Sequence, residues 1–204
     1  MTTAASAHRA VIVEMVTSRA HLRQFVDLPF ALYRHDPQWV PPLRRDERRR
    51  FDPAHNPFFE HATMALYLAR RGGHLVGRIA AIHDRLHDET HGERTGWFGF
   101  FEAVDADAAA ALLAQAEAWA RARGLDRVRG PVNPSMGESP GLLVDGFDGM
   151  PYLLMPYNPP EYERLILMAG YAKVKDLLAW DVDLTSPIPA RVSRLADRVR
   201  DRFG

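Results

Sequence analysis

Asn133, Ser135 and Glu138 stand within six residues of one another in "RGPVNPSMGESPGLLVDGF", residues 129–147. An amide, a hydroxyl and a carboxylate that close together could line a polar groove, with Glu138 taking the proton of an amine as general base. The same residue types also close turns by bonding to nearby backbone, so a loop that only satisfies itself is the alternative reading. Just downstream, "MPYNPPEYERL" offers Tyr157, Asn158 and Tyr162. A tyrosine of this kind packs its ring on a sheet and leaves its hydroxyl at the rim, and Asn158 before Pro159 reads as a helix cap. His83, His87 and His91 recur at four-residue spacing. On a helix, histidines at that spacing could share a metal, but Thr90 and Gly92 favour a solvated polar loop, and no metal is expected. The dense basic run "LRRDERRRF", with Arg44, Arg45, Arg48, Arg49 and Arg50, could attract a phosphate. Its interleaved Asp46 and Glu47, with Asp52 just after, favour a salt-bridged surface helix. No G-x-S-x-G elbow, P-loop or dinucleotide fingerprint occurs.

These residues need elements to hold them. "AVIVEMV" (10–16) is a β-branched run and reads as a first strand, and Thr17 or Ser18 can cap the helix that follows. Leu28, before Pro29, marks a kink or break in that helix. Residues 36–61 are punctuated by Pro37, Pro41, Pro42, Pro53 and Pro57, with room for one short helix at the arginine run. "ATMALYLAR" and "HLVGRIAAIH" form a hairpin across "RGG", and a polar loop leads to the strand "GWFGFFEAV". A helix follows at 106–123, with an alanine-rich packing face and Gly124 as its stop. Another runs from Glu161 to Ala169 and is closed by Gly170. "YAKVKDLLAWDVDL" then reads as one long strand or a bent pair, and a final amphipathic helix carries Val192, Leu195, Ala196, Val199 and Phe203 on one face. The order is that of an α/β domain whose first half is largely antiparallel and whose central strand–helix–strand unit is a parallel crossover.

Composition narrows the classes. The 204 residues are 47% hydrophobic, enough to bury a core and to exclude wholesale disorder. Lys+Arg 26 balances Asp+Glu 26. A dedicated nucleic-acid binder or a polybasic membrane-surface protein is more basic than that, so neither partner is expected. The absence of cysteine excludes disulfides, thiolate metal sites and cysteine nucleophiles. With no signal-peptide pattern and no apolar run near the roughly 20 residues that span a bilayer, a cytoplasmic protein is expected.

The element order, with "GRIAAIHD" as a middle strand and "EYERLILMAGY" near the end, resembles the GNAT superfamily of acyl-CoA-dependent N-acyltransferases. "DPQWVPPLRRDE", "FDPAHNPFFEHA", "GWFGFFEAVD", "VRGPVNPSMGESPGLLVDGF" and "MPYNPPEYERL" resemble more closely an uncharacterised bacterial GNAT-like family, over residues 10–180. Its members are roughly twice this length and carry a second acetyltransferase-like half. The resemblance implies a mixed central sheet flanked by helices, acetyl-CoA or another acyl-CoA as cosubstrate, and an amine or other small-molecule substrate. It implies Tyr162 as general acid toward the leaving thiolate, beside Glu138 as base. Asn133, Ser135, Tyr157 and Asn158 are then the substrate contacts.

One departure matters. Proteins of this superfamily hold the CoA pyrophosphate on a glycine-rich turn at the start of the helix after the fourth strand. Here that turn is "EAVDADAA", with no glycine and with the acids Glu102, Asp105 and Asp107. Asp105 is suited to cap the helix itself, and the phosphate turn is degenerate over Val104–Asp107. Like unit charges about 5 Å apart repel by roughly 3 kcal/mol at an effective dielectric of about 20. The expected organisation is a disordered N-terminus (1–8), a GNAT-like domain (9–184) and the start of a helix (185–204) leading to a missing part. Two functions follow from the resemblance. One is acyl transfer from acyl-CoA to an amine. The other is a non-catalytic half that supplies a groove or interface to a C-terminal GNAT-like domain or homodimer partner.

Overall fold

Gly72 and Gly73 both take positive φ, 58° and 86°, and this two-residue turn closes the hairpin of β2 (Ala62–Arg71) and β3 (His74–Asp84). The structure is a computed structural model that describes residues 10–134, 138–180, 183, 185, 187 and 189–203. The expected disordered N-terminus lies outside them. β1 (Val11–Met15) pairs antiparallel with β2, and β4 (Thr95–Ala103) antiparallel with β3. β5 (Arg127–Arg129) joins β4 in parallel, giving the sheet order β1-β2-β3-β4-β5. This is the mixed sheet flanked by helices expected from the sequence. A two-stranded sheet, β6 (Val132–Asn133) with β7 (Ser139–Pro140), lies within the glycine-rich stretch.

The β3 side chains alternate between two cores, as a strand must when both of its faces are covered. Ile79 and Ala81 pack with α4 (Ala106–Arg121) and α5 (Glu161–Met168), while Ala80 and Ile82 pack with α1 (Arg19–Leu32) and with Phe51, the cap of α2 (Arg44–Arg50). Gly77 makes this approach close: a Cβ there would stand 2.7 Å from Leu112 of α4. β4 breaks the alternation. Phe100 has φ of 49° and the β3–β4 register shifts beside it. Phe98 and Phe100, two residues apart, therefore face opposite cores.

Four expectations need correction. Pro29 does not break the first helix: α1 continues to Leu32, and Ser18 rather than Thr17 caps it. The carbonyl of Phe25, which loses its partner because Pro29 has no N–H, accepts instead from Arg78 Nη1 at 2.7 Å. The polar stretch after β3 is not a loop but helix α3 (Arg85–His91). Asp84 caps its start through the N–H groups of Leu86 and His87, and Gly92, with φ of 64°, ends it. Asn158 does not cap α5, whose N-cap is Pro160 without a side-chain bond. Finally, residues 171–180 form no strand. The rest of the strand expected at 171–184 includes residues outside the described ones.

The chain divides into two compact units, one through Lys173 and one from Val174. The second contains α6 (Ala190–Phe203), on which Val192, Leu195, Val199 and Phe203 are exposed.

Candidate functional site

A cavity of about 950 Å³ opens where β4 passes into α4, lined among others by Tyr33, Asp36, Val104, Asp105, Tyr157 and Tyr162. That volume lies at the upper end of ordinary small-molecule clefts. Beneath its wall sits the buried carboxylate of Glu102. One oxygen accepts from the hydroxyls of Tyr33 at 2.6 Å and Tyr162 at 2.7 Å. The other lies 3.6 Å from Arg78, its cross-strand partner on β3. The β4 bulge explains this placement, because the parity change that turns Phe100 toward α1 carries Glu102 to the same side. The Ala103 N–H donates to the Tyr162 hydroxyl at 3.1 Å, so that oxygen is held from two directions.

A carboxylate and a guanidinium this deep are costly unless each is paired and hydrogen-bonded. Burial pushes the Glu102 carboxyl above its usual range, while Arg78 and the two tyrosine hydroxyls pull it back. Burial likewise lowers Arg78, against the opposing pull of Glu102 and Glu47. Burial and then Glu102 raise both phenols, so Tyr33 and Tyr162 keep their protons. At the rim, the Tyr157 hydroxyl donates to Asp36. That bond is the main cause holding Asp36 below its ordinary value, while burial, with Asp36, pushes Tyr157 up to about 12. The Tyr33 ring meets Tyr157 edge-on at 5.8 Å and packs on Trp39 at 5.3 Å.

The start of α4 binds its own side chain. Asp105 accepts from the Ala108 N–H at 3.0 Å and takes two bonds from Arg71, at 2.5 and 3.0 Å. Asp107 stands 3.6 Å from the same guanidinium. An incoming pyrophosphate would meet two carboxylates and an N–H already used, so these residues do not fit it.

One of the other candidates bonds directly to β4. Asn133 turns its amide oxygen to the Phe100 N–H, 2.5 Å away, the donor that the bulge frees from the ladder. Gly99 permits this approach, since a Cβ there would collide with the Val132 carbonyl. Arg50 fastens the loop from the far side, donating to the Asn133 carbonyl at 3.0 Å and to Glu138 at 2.6 Å. Glu138 is thus ion-paired, and of the expected acid–base pair only Tyr162 lines the cavity. Ser135 lies outside the described residues. Asn158 is buried and staples Leu143 by both its N–H and its carbonyl while also reaching the cavity. The histidines are engaged within the protein: His83 with Asp88 at 2.9 Å, His87 with Glu93 at 3.4 Å, and His91 tilted against the His87 ring at 4.4 Å. Among the described residues no group of three or more candidate ligands could hold a metal, and no helix is long and apolar enough to cross a membrane.

Sequence reasoning missed Tyr33, Asp36 and Arg78, and took Glu102 only as one acid of the helix start. The available signal was a charge inside each of two apolar strands, Arg78 in "GRIAAIHD" and Glu102 in "GWFGFFEAV". Buried charges come in pairs.

No family model matches the chain. Over 94% of its length it is 37% identical to Protein YghO of Escherichia coli (strain K12), covering 49% of that protein. Over 90% of its length it is 42% identical to a bacterial ceramide synthase of Caulobacter vibrioides (strain NA1000 / CB15N), covering 48% of that one. The chain thus spans about half the length of the curated relatives it matches. Among solved structures it is similar to the aminoglycoside N-acetyltransferase AAC(6')-Iy in complex with CoA, at 12% identity and a TM-score of 0.49, over 87% of this chain and 97% of that one.

Proposed function

We propose that this chain is the acceptor-holding part of a GNAT-like N-acyltransferase, which joins the acyl group of an acyl-CoA to an amine. The observation that carries this reading is the cavity at the β4–α4 joint: polar hydroxyls and a carboxylate converge there, while the adjoining helix start is closed to phosphate. The relative named a bacterial ceramide synthase supports the reaction class, because a ceramide is an amide and making one joins an acyl group to an amine. The role of this chain is to bind and orient the amine. The donor is held by a part of the enzyme beyond this chain. Tyr162 and Tyr33, locked on Glu102, shape the wall and keep their hydroxyls in place. They do so as fixed dipoles rather than as mobile side chains.

Saturation-transfer NMR on the chain with octylamine and CoA in one sample tests this. Saturation of octylamine alone is expected. Saturation of CoA alone would overturn the assignment of this part to the acceptor.

A further inference from the structure

Every residue of α6 is exposed, yet its surface is sorted. Val192, Leu195, Ala196, Val199 and Phe203 share one face at helical spacing. Arg191, Arg198 and Arg202 run along one margin of that face, and Arg200 stands at the other. Asp197 and Asp201, with Arg194 beside them, occupy the opposite pole. The Arg202 guanidinium lies 5.2 Å from the Phe203 ring, so it borders the apolar face. Arg200 meets Asp197 at 3.1 Å, an exposed pair of small worth. Five arginines against two aspartates leave the helix with three net positive charges. The balanced charge of the whole chain, from which no membrane partner is expected, hides this local excess.

The sorting decides what covers the apolar face. A second copy of the chain would need a coiled-coil seam, spaced alternately by three and four residues. After Val192, Leu195 and Val199 the next seam position is Arg202, which breaks it. A protein surface gives no reason to hold the acids farthest from the apolar side. An anionic bilayer surface does: hydrocarbon takes the apolar face, arginine stems reach from the margins to lipid phosphates, and the carboxylates stay in water. With 14 residues the helix can lie in such a surface but not span it. We propose that α6 binds the surface of an anionic membrane, its apolar face among the acyl chains and its marginal arginines on the lipid phosphates.

Co-flotation of the whole chain with vesicles tests this, with phosphatidylcholine alone and with equal parts phosphatidylcholine and phosphatidylglycerol. Flotation with the mixed vesicles and not with phosphatidylcholine alone is expected, and salt at about 1 M should weaken it. Arg198→Gln together with Arg202→Gln should lower partition roughly twentyfold, since each arginine near such a surface is worth about fivefold. Val199→Asp should lower it at least about tenfold by removing an inserted apolar side chain. Asp201→Asn, at the opposite pole, should bind as tightly as the native chain or more so. All four positions are exposed, so the melting temperature should not move and lost flotation is not lost folding. Equal flotation with both vesicles would overturn the role of the arginines. No flotation with either would overturn the proposal. So would a dimer in sedimentation that Val199→Asp dissociates, in a chain that leaves vesicles unbound.

Discussion

Two places on β4, three residues apart, meet opposite fates. At Phe100 the bulge frees a backbone N–H and opens the strand, and the chain fills the opening itself: Asn133 takes the N–H, Gly99 admits the Val132 carbonyl, and Arg50 clamps the loop on top. At Ala103 the strand ends beside a cavity of about 950 Å³. Below that cavity the chain has spent a buried carboxylate, a buried guanidinium and two phenols, yet left the space above them open. A filled opening stabilises the fold. An open one over a costly polar network is where a ligand belongs.

The largest effect should come from the network under the cavity. Arg78→Leu strands the Glu102 charge and is expected to cost about 3–5 kcal/mol in denaturant unfolding, while Arg78→Leu with Glu102→Leu should recover much of that loss. If the single and double variants are equally unstable, the two residues do not act as a pair. Next is the filled opening. Asn133→Ala leaves the Phe100 N–H unpartnered and should cost about 1–3 kcal/mol without changing octylamine binding. A loss of binding in that variant would join the two places and dissolve the contrast. Smaller again is Asp105→Ala, which removes the cap of α4 and should cost about 0.5–2 kcal/mol.

The smallest effect is a pH dependence away from both places. Arg129 first, then the Thr95 hydroxyl, hold Glu93 down to about 2 against an ordinary 4.5. A depressed acid stabilises the fold above its unfolded pKa and loses that contribution as pH falls through the folded one. Melting temperature should therefore fall between about pH 4.5 and pH 2, and Glu93→Gln should flatten that part of the profile.

The scaffold was legible in the sequence because it is written in local terms. The two glycines of "RGG" turn the hairpin, and the alanine face of residues 106–121 finds the sheet. Asp105 caps its helix as its type and place suggest. The end of the chain was not legible in the same way, since a strand pattern at 171–180 means nothing without a neighbour to pair with. The site was half legible. Tyr157, Asn158 and Tyr162, candidates from the sequence, line the cavity, while Glu138, expected as a base, stands in an ion pair with Arg50, 88 residues away. Tyr33 and Glu102 meet across 69 residues, and only because an unannounced bulge at Phe100 turns Glu102 toward α1. A one-residue change of parity has no signature in composition or periodicity.

The central claim is that the start of α4 is closed to the donor and the space beside it is kept for the acceptor. Isothermal titration of the folded chain with CoA tests it most directly. No measurable heat with CoA is predicted in a preparation that binds octylamine. Micromolar CoA binding by that preparation would contradict it.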